Sequence, residues 1–183
     1  FAGAAALVPF LRDLGVSHLY LSPVLQARRG STHGYDVVDP RRVSDDLGGE
    51  AGLRALADAG LELLVDFVPN HMAVSDENPF WVDPASRERF FDLDPEGGHR
   101  RFFDVDDLAG VRVEDPEVFA VTHGTLVALV RDGGVTGVSV DLVDGLADPA
   151  GYLTRLRAAG VEHVWVEKIL EPGESLPPCP VEG

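Results

Sequence analysis

Residues 61–67, Leu61-Glu-Leu-Leu-Val-Asp-Phe67, form a short run that is apolar at five of its seven positions. A run of this length and composition predicts a strand buried on both faces, as in a parallel sheet. The residues before it, 49–59, have the apolar spacing of a helix that ends at Gly60. The stretch therefore indicates one helix-and-strand unit of an α/β fold.

The same alternation continues on both sides of this unit. Two further helices are predicted from an aspartate N-cap followed by proline at the first helical position, at Asp115 and Asp148. The predicted helices are residues 4–14, 49–59, 115–131 and 148–160, and the predicted strands are residues 18–22, 61–67, 137–142 and 163–170. Strands that alternate with helices form right-handed crossover units around a parallel sheet.

Two fold classes fit this alternation, a doubly wound open sheet and a barrel of strands and helices. No Gly-x-Gly-x-x-Gly motif follows any predicted strand, which disfavours a nucleotide-binding open sheet. Polar residues stand at the C-terminal ends of the strands, where barrel enzymes carry their chemistry; they are Ser22, Asp66, Asn70, Asp141 and Glu167. We therefore predict an α/β fold, a partial (β/α)8 TIM barrel, since a complete barrel typically takes ~250 residues.

Residues 72–114 follow neither the helical nor the strand period. The stretch is rich in acids and in aromatic pairs, at Phe80-Trp81, Phe90-Phe91 and Phe102-Phe103. An excursion this long is unusual in a compact fold unless it carries function. We expect an irregular substrate-binding lobe at residues 72–114, inserted between two parts of the barrel at residues 1–71 and 115–183.

The composition excludes several classes of protein. Of the 183 residues, 45% are hydrophobic, which is enough to fill one core. Fifteen Lys and Arg against 31 Asp and Glu give a net charge of -16, which would repel nucleic acid and an anionic membrane surface. The single cysteine, Cys179, cannot form an internal disulfide, and no apolar run approaches the ~20 residues of a membrane-spanning helix. We expect a soluble, cytoplasmic protein.

No metal and no cofactor are predicted. The six histidines lack the spacing of zinc ligands, and a single cysteine disfavours a transition-metal site. The chain begins with Phe1 rather than Met, and four prolines among residues 171–183 break any regular element and predict a loop or a cut. Both ends fit a piece of a longer protein.

Two carboxylates are the strongest candidates for chemistry. Asp141 and Glu167 stand at the C-terminal ends of the last two predicted strands, and their carboxyl groups converge if those strands are adjacent. Retaining glycosidases place two carboxyl groups roughly 5 to 5.5 Å apart, one as the nucleophile and the other as acid and base. The alternative is that each is an ordinary surface acid in a protein rich in acids.

Two other clusters could bind a sugar. Asp66, Asn70 and His71 follow the strand 61–67, where a carboxylate, an amide and an imidazole could hold hydroxyl groups. Alternatively, Asp66 only accepts hydrogen bonds from loop amides. His33-Gly-Tyr-Asp36 follows the strand 18–22, and the tyrosine ring beside a glycine could form a platform for the face of a pyranose. Alternatively, that ring is simply half-buried.

Four motifs, in this order along the chain, resemble those of a known family: His33-Gly-Tyr-Asp36, Asp66-Phe-Val-Pro-Asn-His71, Val138-Ser-Val-Asp-Leu-Val-Asp-Gly145 and Val164-Trp-Val-Glu-Lys-Ile-Leu170. The chain resembles the alpha-amylase superfamily of glycoside hydrolases. It is similar in particular to the maltooligosyl trehalose synthase branch, through residues 15–23, 30–39, 101–115 and 166–174. The last two of these stretches are specific to that branch.

This resemblance implies about strands 2 to 5 of the family's barrel and a retaining intramolecular transglycosylation. The reaction converts the reducing-end alpha-1,4 bond of a maltooligosaccharide to an alpha,alpha-1,1 bond, with Asp141 as the nucleophile and Glu167 as the acid and base. The implied substrate-binding residues are His33, Tyr35, Asp36, Asp66, Asn70, His71, Asp144 and Lys168. The implied substrate is a maltooligosaccharide or a glycogen-derived alpha-glucan, and the implied pathway partner is maltooligosyl trehalose trehalohydrolase.

The sequence departs from the family near the nucleophile. Ser139 stands where the family has an arginine, and Leu142 stands where the synthases have a histidine. The family's first strand and third acid would lie outside these residues, and the second helix and the stretch before His163 are shorter than in the family. Two alternatives to the synthase therefore stay open, an alpha-glucan hydrolase of the same superfamily and an inactive glucan-binding remnant or fragment.

Overall fold

The computed structural model describes residues 1–175 and 180–183, so Cys179 and part of the predicted C-terminal loop lie outside the described residues. The helices are α1 (Ala2–Asp13), α2 (Gly49–Asp58), α3 (Pro79–Val82), α4 (Pro84–Phe90), α5 (Pro116–Arg131) and α6 (Pro149–Ala158). The strands are β1 (His18–Leu21), β2 (Leu25–Ala27), β3 (Val37–Val43), β4 (Glu62–Phe67), β5 (His71–Ala73), β6 (Arg101–Phe102), β7 (Val105–Gly110), β8 (Gly137–Val140) and β9 (His163–Val166). Short 3-10 turns lie at Asp45–Leu47 and Val143–Gly145. Within the described chain no helix is long and apolar enough to cross a membrane.

Four strands form a parallel sheet in the order β1-β4-β8-β9. These are the four strands that the sequence predicts, and the parallel α/β class is confirmed. The last two strands end earlier than predicted, at Val140 and Val166, which pair with each other. Asp141 and Glu167 therefore follow the strands directly, side by side at the C-terminal edge of the sheet.

The helices cover one face of this sheet. On that face Val65, Val138 and Val164 are completely buried, in clusters that include apolar side chains of α1, α2, α5 and α6. On the other face Tyr20 is 58% exposed and Glu62 is exposed as well. The expectation that residues 61–67 are buried on both faces holds only toward the C-terminal end of the strand, because on that other face Asp66 is 5% exposed whereas Leu64 is partly exposed and Glu62 is exposed.

Both aspartate helix starts are confirmed. The Asp115 carboxylate accepts hydrogen bonds from the backbone N–H groups of Glu117 at 2.8 Å and Val118 at 3.3 Å. The Asp148 carboxylate accepts one from Gly151 at 2.9 Å. Such a cap satisfies an amide that the first turn leaves free, and it typically contributes ~1 kcal/mol. The caps fix where α5 and α6 begin, and thus how these helices lead into β8 and β9.

The lobe contains regular structure that the sequence did not predict. β5, β7 and β6 form a three-stranded antiparallel sheet, and α3 and α4 lie between β5 and β6 along the chain. The expectation of an irregular lobe is therefore wrong. Its periodic signal is weak because β5 and β6 have three and two residues, and because the pairing of β6 with β7 shifts register between Arg101 and Phe102.

A second antiparallel pair, β2 with β3, was also not predicted. β2 has three residues, its pairing shifts register on both sides of Gln26, and β3 contains Pro40. A proline within a run argues against a central strand, so the pattern was not predicted as one. This pair matters for the site because the loop between its strands carries His33, Tyr35 and Asp36.

Candidate active site

Backbone hydrogen bonds hold the two candidate acids at neighbouring strand ends. The Asp141 N–H donates to the Phe67 carbonyl at 2.9 Å, and the Glu167 N–H donates to the Val140 carbonyl at 2.9 Å. The Val143 N–H donates to the Glu167 carbonyl at 3.1 Å. The ends of β4, β8 and β9 are thereby joined, and the carboxyl group of Glu167 lies close enough to raise the pKa of Asp141.

The surroundings of Asp141 favour its protonated form. Burial, the hydrogen bond to Glu167 and the negative charges of Asp66 and Glu167 raise the pKa of Asp141 to about 7, although a hydrogen bond from Asn70 acts in the opposite direction. The protonated form of Asp141 is therefore favoured below about pH 7. Within the described chain no Lys, Arg or His forms an ion pair with these three acids.

Asp66, on β4, is tied to a tyrosine. It is 5% exposed and accepts a hydrogen bond from the Tyr35 hydroxyl at 2.5 Å. Burial raises the pKa of Asp66, and the hydrogen bond to Asp66 raises the pKa of the Tyr35 phenol. The structure thus brings together two of the predicted site residues and commits the Tyr35 hydroxyl to Asp66, while contact of either with a sugar stays a prediction.

Tyr20 is a site residue that the sequence reasoning missed. It lies on β1, and its phenol is beside the Asp66 carboxylate and the Ser139 hydroxyl. With 58% of its side chain exposed, it borders the open face of the sheet. Tyr20 precedes Ser22 by two residues, and alternate residues of a strand share a face. The two-residue spacing from Ser22, a predicted strand-end residue, could therefore have identified Tyr20 as a site residue.

Asn70 and His71 brace the backbone of the candidate nucleophile. Asn70 Nδ2 donates to the carbonyls of Asp141 at 2.8 Å and Leu142 at 3.2 Å. His71 Nδ1 lies 2.5 Å from Asn70 Oδ1, and His71 Nε2 lies 3.0 Å from the Tyr35 carbonyl oxygen. Both side chains are 1% exposed, and burial lowers the pKa of His71 to about 4. Contact of either residue with a sugar stays a prediction.

The loop that carries Tyr35 depends on Gly34. Its φ is +85°, and a Cβ there would lie 2.6 Å from the Pro23 carbonyl oxygen, closer than real Cβ contacts. Only glycine adopts this positive φ without strain and also lacks the Cβ that would clash with Pro23. The Gly-Tyr pair within the first motif, His33-Gly-Tyr-Asp36, therefore has a structural reason, because Gly34 lets the loop bring Tyr35 to Asp66.

His33 and Asp36 lie on the same loop. His33 Nδ1 accepts a hydrogen bond from the Tyr35 N–H at 3.1 Å, and Asp36 Oδ1 accepts one from the Ser31 hydroxyl at 2.5 Å. The His33 side chain is 56% exposed, whereas that of Asp36 is 17% exposed. His33 is therefore the one of the two that is open to a ligand.

Asp144 and Lys168 pair with each other. Lys168 Nζ lies 3.1 Å from both carboxylate oxygens of Asp144 and 2.8 Å from Glu174 Oε1. The hydrogen bonds to Glu174 and Asp144 raise the pKa of Lys168. Lys168 thus links the turn after Asp141 to residue 174, and binding of a substrate by Asp144 or Lys168 stays a prediction.

Leu142 has a left-handed backbone, with φ +37° and ψ 68°. This conformation is uncommon for a residue other than glycine, asparagine or aspartate. It turns the chain directly after Asp141, so that the Val143 N–H reaches Glu167. The sequence does not indicate this left-handed turn, because leucine is not among the residues that usually adopt a positive φ.

The geometry defines a class of protein. A parallel α/β sheet whose C-terminal edge carries two converging carboxyl groups is the arrangement of glycoside hydrolases that work with two acids. Residues 1–118 match the model of the alpha-amylase catalytic domain family. The chain belongs to the alpha-amylase family.

Within this family the chain is similar to maltooligosyl trehalose synthases. A Mycobacterium tuberculosis protein named "Putative maltooligosyl trehalose synthase" is 36% identical over 261 residues, which cover 100% of this chain and 34% of that protein. Maltooligosyltrehalose synthase from Arthrobacter ramosus superposes with a TM-score of 0.91 at 34% identity, over 97% of this chain and 34% of that one. A hypothetical maltooligosyl trehalose synthase from Sulfolobus tokodaii superposes with a TM-score of 0.88 at 32% identity, over 96% of this chain and 35% of that one. The chain spans about a third of the length of these relatives.

The alignment with the Mycobacterium tuberculosis protein is longer than this chain, 261 against 183 residues. That relative therefore has segments inside the matched region that this chain lacks. This agrees with the expectation from the sequence that the chain is shorter than the family internally.

Proposed function

We propose that the chain is part of the catalytic barrel of a maltooligosyl trehalose synthase. In this proposal β1, β4, β8 and β9 are about strands 2 to 5 of a (β/α)8 barrel, and residues 72–114 form a substrate-binding lobe. The observation that carries the proposal is the convergence of Asp141 and Glu167 at the edge of a parallel sheet. Similarity to synthases along the whole chain favours this enzyme over others of the family.

The proposed reaction is a retaining intramolecular transglycosylation. Glu167 protonates the oxygen between the last two glucose units, while a carboxylate oxygen of Asp141 attacks the anomeric carbon and forms a glycosyl ester. The freed reducing-end glucose turns in place. Its anomeric hydroxyl gives its proton to Glu167 and attacks the anomeric carbon of the glycosyl ester, whose bond to the Asp141 oxygen breaks, so that Asp141 leaves as a carboxylate. One glycosidic bond breaks and one forms, so no water is consumed.

This chemistry needs Asp141 ionised and Glu167 protonated. In the free site burial and the neighbouring acids raise the pKa of Asp141 to about 7, which opposes its ionisation. Ser139 stands where the family has an arginine, and in the described chain no cation forms an ion pair with either acid. We therefore expect this chain to be a weaker catalyst than a relative that has the arginine.

The other predicted residues would bind or confine the substrate. The Tyr35 ring would stack on the sugar at the cleaved bond, and His33 and Asp36 on the same loop would hydrogen-bond it. Asp144, held by Lys168, would line the pocket of the leaving glucose. Water must be kept out of that pocket while the glycosyl ester exists, which is a task for the lobe.

The proposed substrate is a neutral maltooligosaccharide or a glycogen-derived alpha-glucan in the cytoplasm. Because such a substrate carries no charge, the net charge of -16 neither attracts nor repels it. The product, a maltooligosyl trehalose, would be consumed by maltooligosyl trehalose trehalohydrolase.

Incubation with maltopentaose tests the proposal. We expect reducing ends to disappear without a matching release of glucose, and this activity to be lost in Asp141→Asn and Glu167→Gln. Asp58→Asn, which changes an exposed acid on α2, is the matched control and should leave the activity unchanged. A rise in reducing ends would instead indicate an alpha-glucan hydrolase.

A non-catalytic glucan-binding protein is the second candidate. It is favoured by Ser139 and by the absence, within the described chain, of an ion pair to Asp141. This candidate predicts that maltopentaose binds without conversion and that Asp141→Asn leaves binding unchanged. Turnover that Asp141→Asn abolishes would exclude it.

A further inference from the structure

Phe103 lies at the turn between β6 and β7, and its side chain is 67% exposed. Its ring packs edge-on against Phe102, with 4.5 Å between the ring centroids. Phe102 in turn stacks on His71 at 4.0 Å. His71 contacts Asn70, which holds the backbone of Asp141. The exposed ring of Phe103 is therefore connected to the candidate nucleophile, Asp141, by contacts through Phe102, His71 and Asn70.

The backbone of Phe103 is strained. Its φ is +49°, a left-handed conformation that is uncommon for a bulky side chain and costs free energy. Within the described chain the other non-glycine residue with a positive φ is Leu142, directly after Asp141. Strained residues persist where the surrounding structure fixes them, and they cluster at functional sites. Both strained residues of the described chain belong to this one region.

The hairpin that carries Phe103 is fixed to the site. Arg100 Nη1 donates to the Gly145 carbonyl at 3.1 Å, and Arg100 Nε donates to Asp92 at 2.9 Å. Phe102 lies against the same turn, since a Cβ at Gly145 would be 3.7 Å from its ring. The exposed ring is thus held in place before a ligand arrives, which lowers the entropy cost of binding.

We propose that Phe103 is a glucan-binding residue, on which one glucose unit of a bound alpha-glucan stacks beside the candidate active site. An aromatic ring offers a large, rigid apolar face, which matches the apolar C–H face of a glucose ring. In the free protein the ring of Phe103 is exposed to water although its backbone is strained. Binding of a glucose unit would cover this ring. This inference rests on the proposed function, which supplies the class of ligand.

The substitution Phe103→Gly separates binding from folding. Because glycine adopts a φ of +49° without strain, we expect the melting temperature of the chain to stay or rise. The dissociation constant for maltopentaose, measured by isothermal titration calorimetry, should increase about fivefold to tenfold with the loss of one aromatic contact. Phe103→Tyr and Phe103→Trp keep a ring face and should restore the affinity.

Phe10→Ala is the matched control, because Phe10 is 61% exposed and lies on α1. It should not change the dissociation constant. Unchanged affinity in Phe103→Gly would overturn the role of Phe103 and leave the proposed function standing. A melting temperature that falls together with the affinity would show a structural role instead. No binding of maltopentaose by the unsubstituted chain would overturn both proposals.

Discussion

Asp141 and Glu167 directly follow Val140 and Val166, which pair with each other, and the Glu167 N–H donates to the Val140 carbonyl at 2.9 Å, so the two acids lie at neighbouring strand ends. In water both acids would be ionised at pH 7. Here burial, Glu167 and the charge of Asp66 raise the pKa of Asp141 to about 7, and in the described chain no ion pair to Asp141 lowers it. Whether Asp141 carries a proton decides how the site responds to pH and to added charge.

An arginine at position 139 should release this proton. Ser139 lies on β8, two residues before Asp141, and pairs with Asp66 on β4, so a side chain at position 139 lies among the acids of the site. We expect Ser139→Arg to lower the pKa of Asp141 from about 7 toward the ordinary aspartate value of about 3.9. The pKa of Asp141 can be measured by following the NMR chemical shift of its carboxyl carbon as the pH is changed. Ser139→Gln adds length without charge and should leave the pKa where it is, so equal titrations in the two variants would refute the electrostatic cause.

The stability of the chain should fall as the pH rises through about 7. The pKa of Asp141 is raised in the folded state to about 7 and is about 3.9 when unfolded, so the folded state binds the extra proton between these values. This contribution is complete below about pH 4 and is lost above about pH 7. Because the carboxyl group is only half-buried, we expect a loss on the order of 1 kcal/mol.

Urea unfolding near pH 5 and near pH 8 checks this dependence on pH. Asp141→Asn removes the titrating group, so the difference in unfolding free energy between the two pH values should shrink. A variant with the same difference as the unsubstituted chain would assign the pH dependence to other groups.

Asn70→Ala should destabilise the chain and raise the pKa of Asp141 further. The substitution leaves the Asp141 carbonyl without its side-chain donor, while the Leu142 carbonyl keeps the Gly145 N–H, and it removes a hydrogen bond that lowers the Asp141 pKa. We expect a loss of about 1 to 3 kcal/mol in the free energy of unfolding. Asn78→Ala, which removes equally buried hydrogen bonds within the lobe, should destabilise the chain without moving the pKa of Asp141.

The left-handed turn at Leu142 predicts an order of stability among variants. Asparagine adopts a positive φ readily, whereas a β-branched residue resists it. We therefore expect Leu142→Asn to be more stable than Leu142→Val by about 1 kcal/mol in urea unfolding. The opposite order would mean that packing of the side chain, rather than the backbone angle of φ +37°, decides the stability at this position.

The parallel sheet and its capped helices could be predicted because their signals are local. Asp115 and Asp148 each stand immediately before a helical proline, and both form the expected caps. The adjacency of Asp141 and Glu167 required only that the last two strands pair, which they do. The sheet of the lobe could not be predicted, because β5 and β6 have three and two residues and the six residues of β7 do not alternate in burial. Its helices carry the same local signal as α5 and α6, with Asn78 before Pro79 and Asp83 before Pro84.

The connections within the site could not be predicted because they join residues that are distant in sequence. The Tyr35 hydroxyl reaches Asp66 across 31 residues, and Lys168 reaches Asp144 across 24. The sequence identified these residues as site candidates, but it did not indicate that they bind one another. Their partners depend on which loops meet at the edge of the sheet, and that is a property of the tertiary fold.

Covalent trapping of the nucleophile tests the central claim most directly. A maltooligosyl fluoride that carries a second fluorine to slow breakdown of the ester would transfer its glycosyl group to the attacking carboxylate and release fluoride, without needing an acid. Mass spectrometry of the peptides should find the adduct on Asp141, absent in Asp141→Asn and retained in Glu167→Gln. A chain that binds maltopentaose but carries the adduct on Asp66 or Glu167, or carries none, would contradict the account.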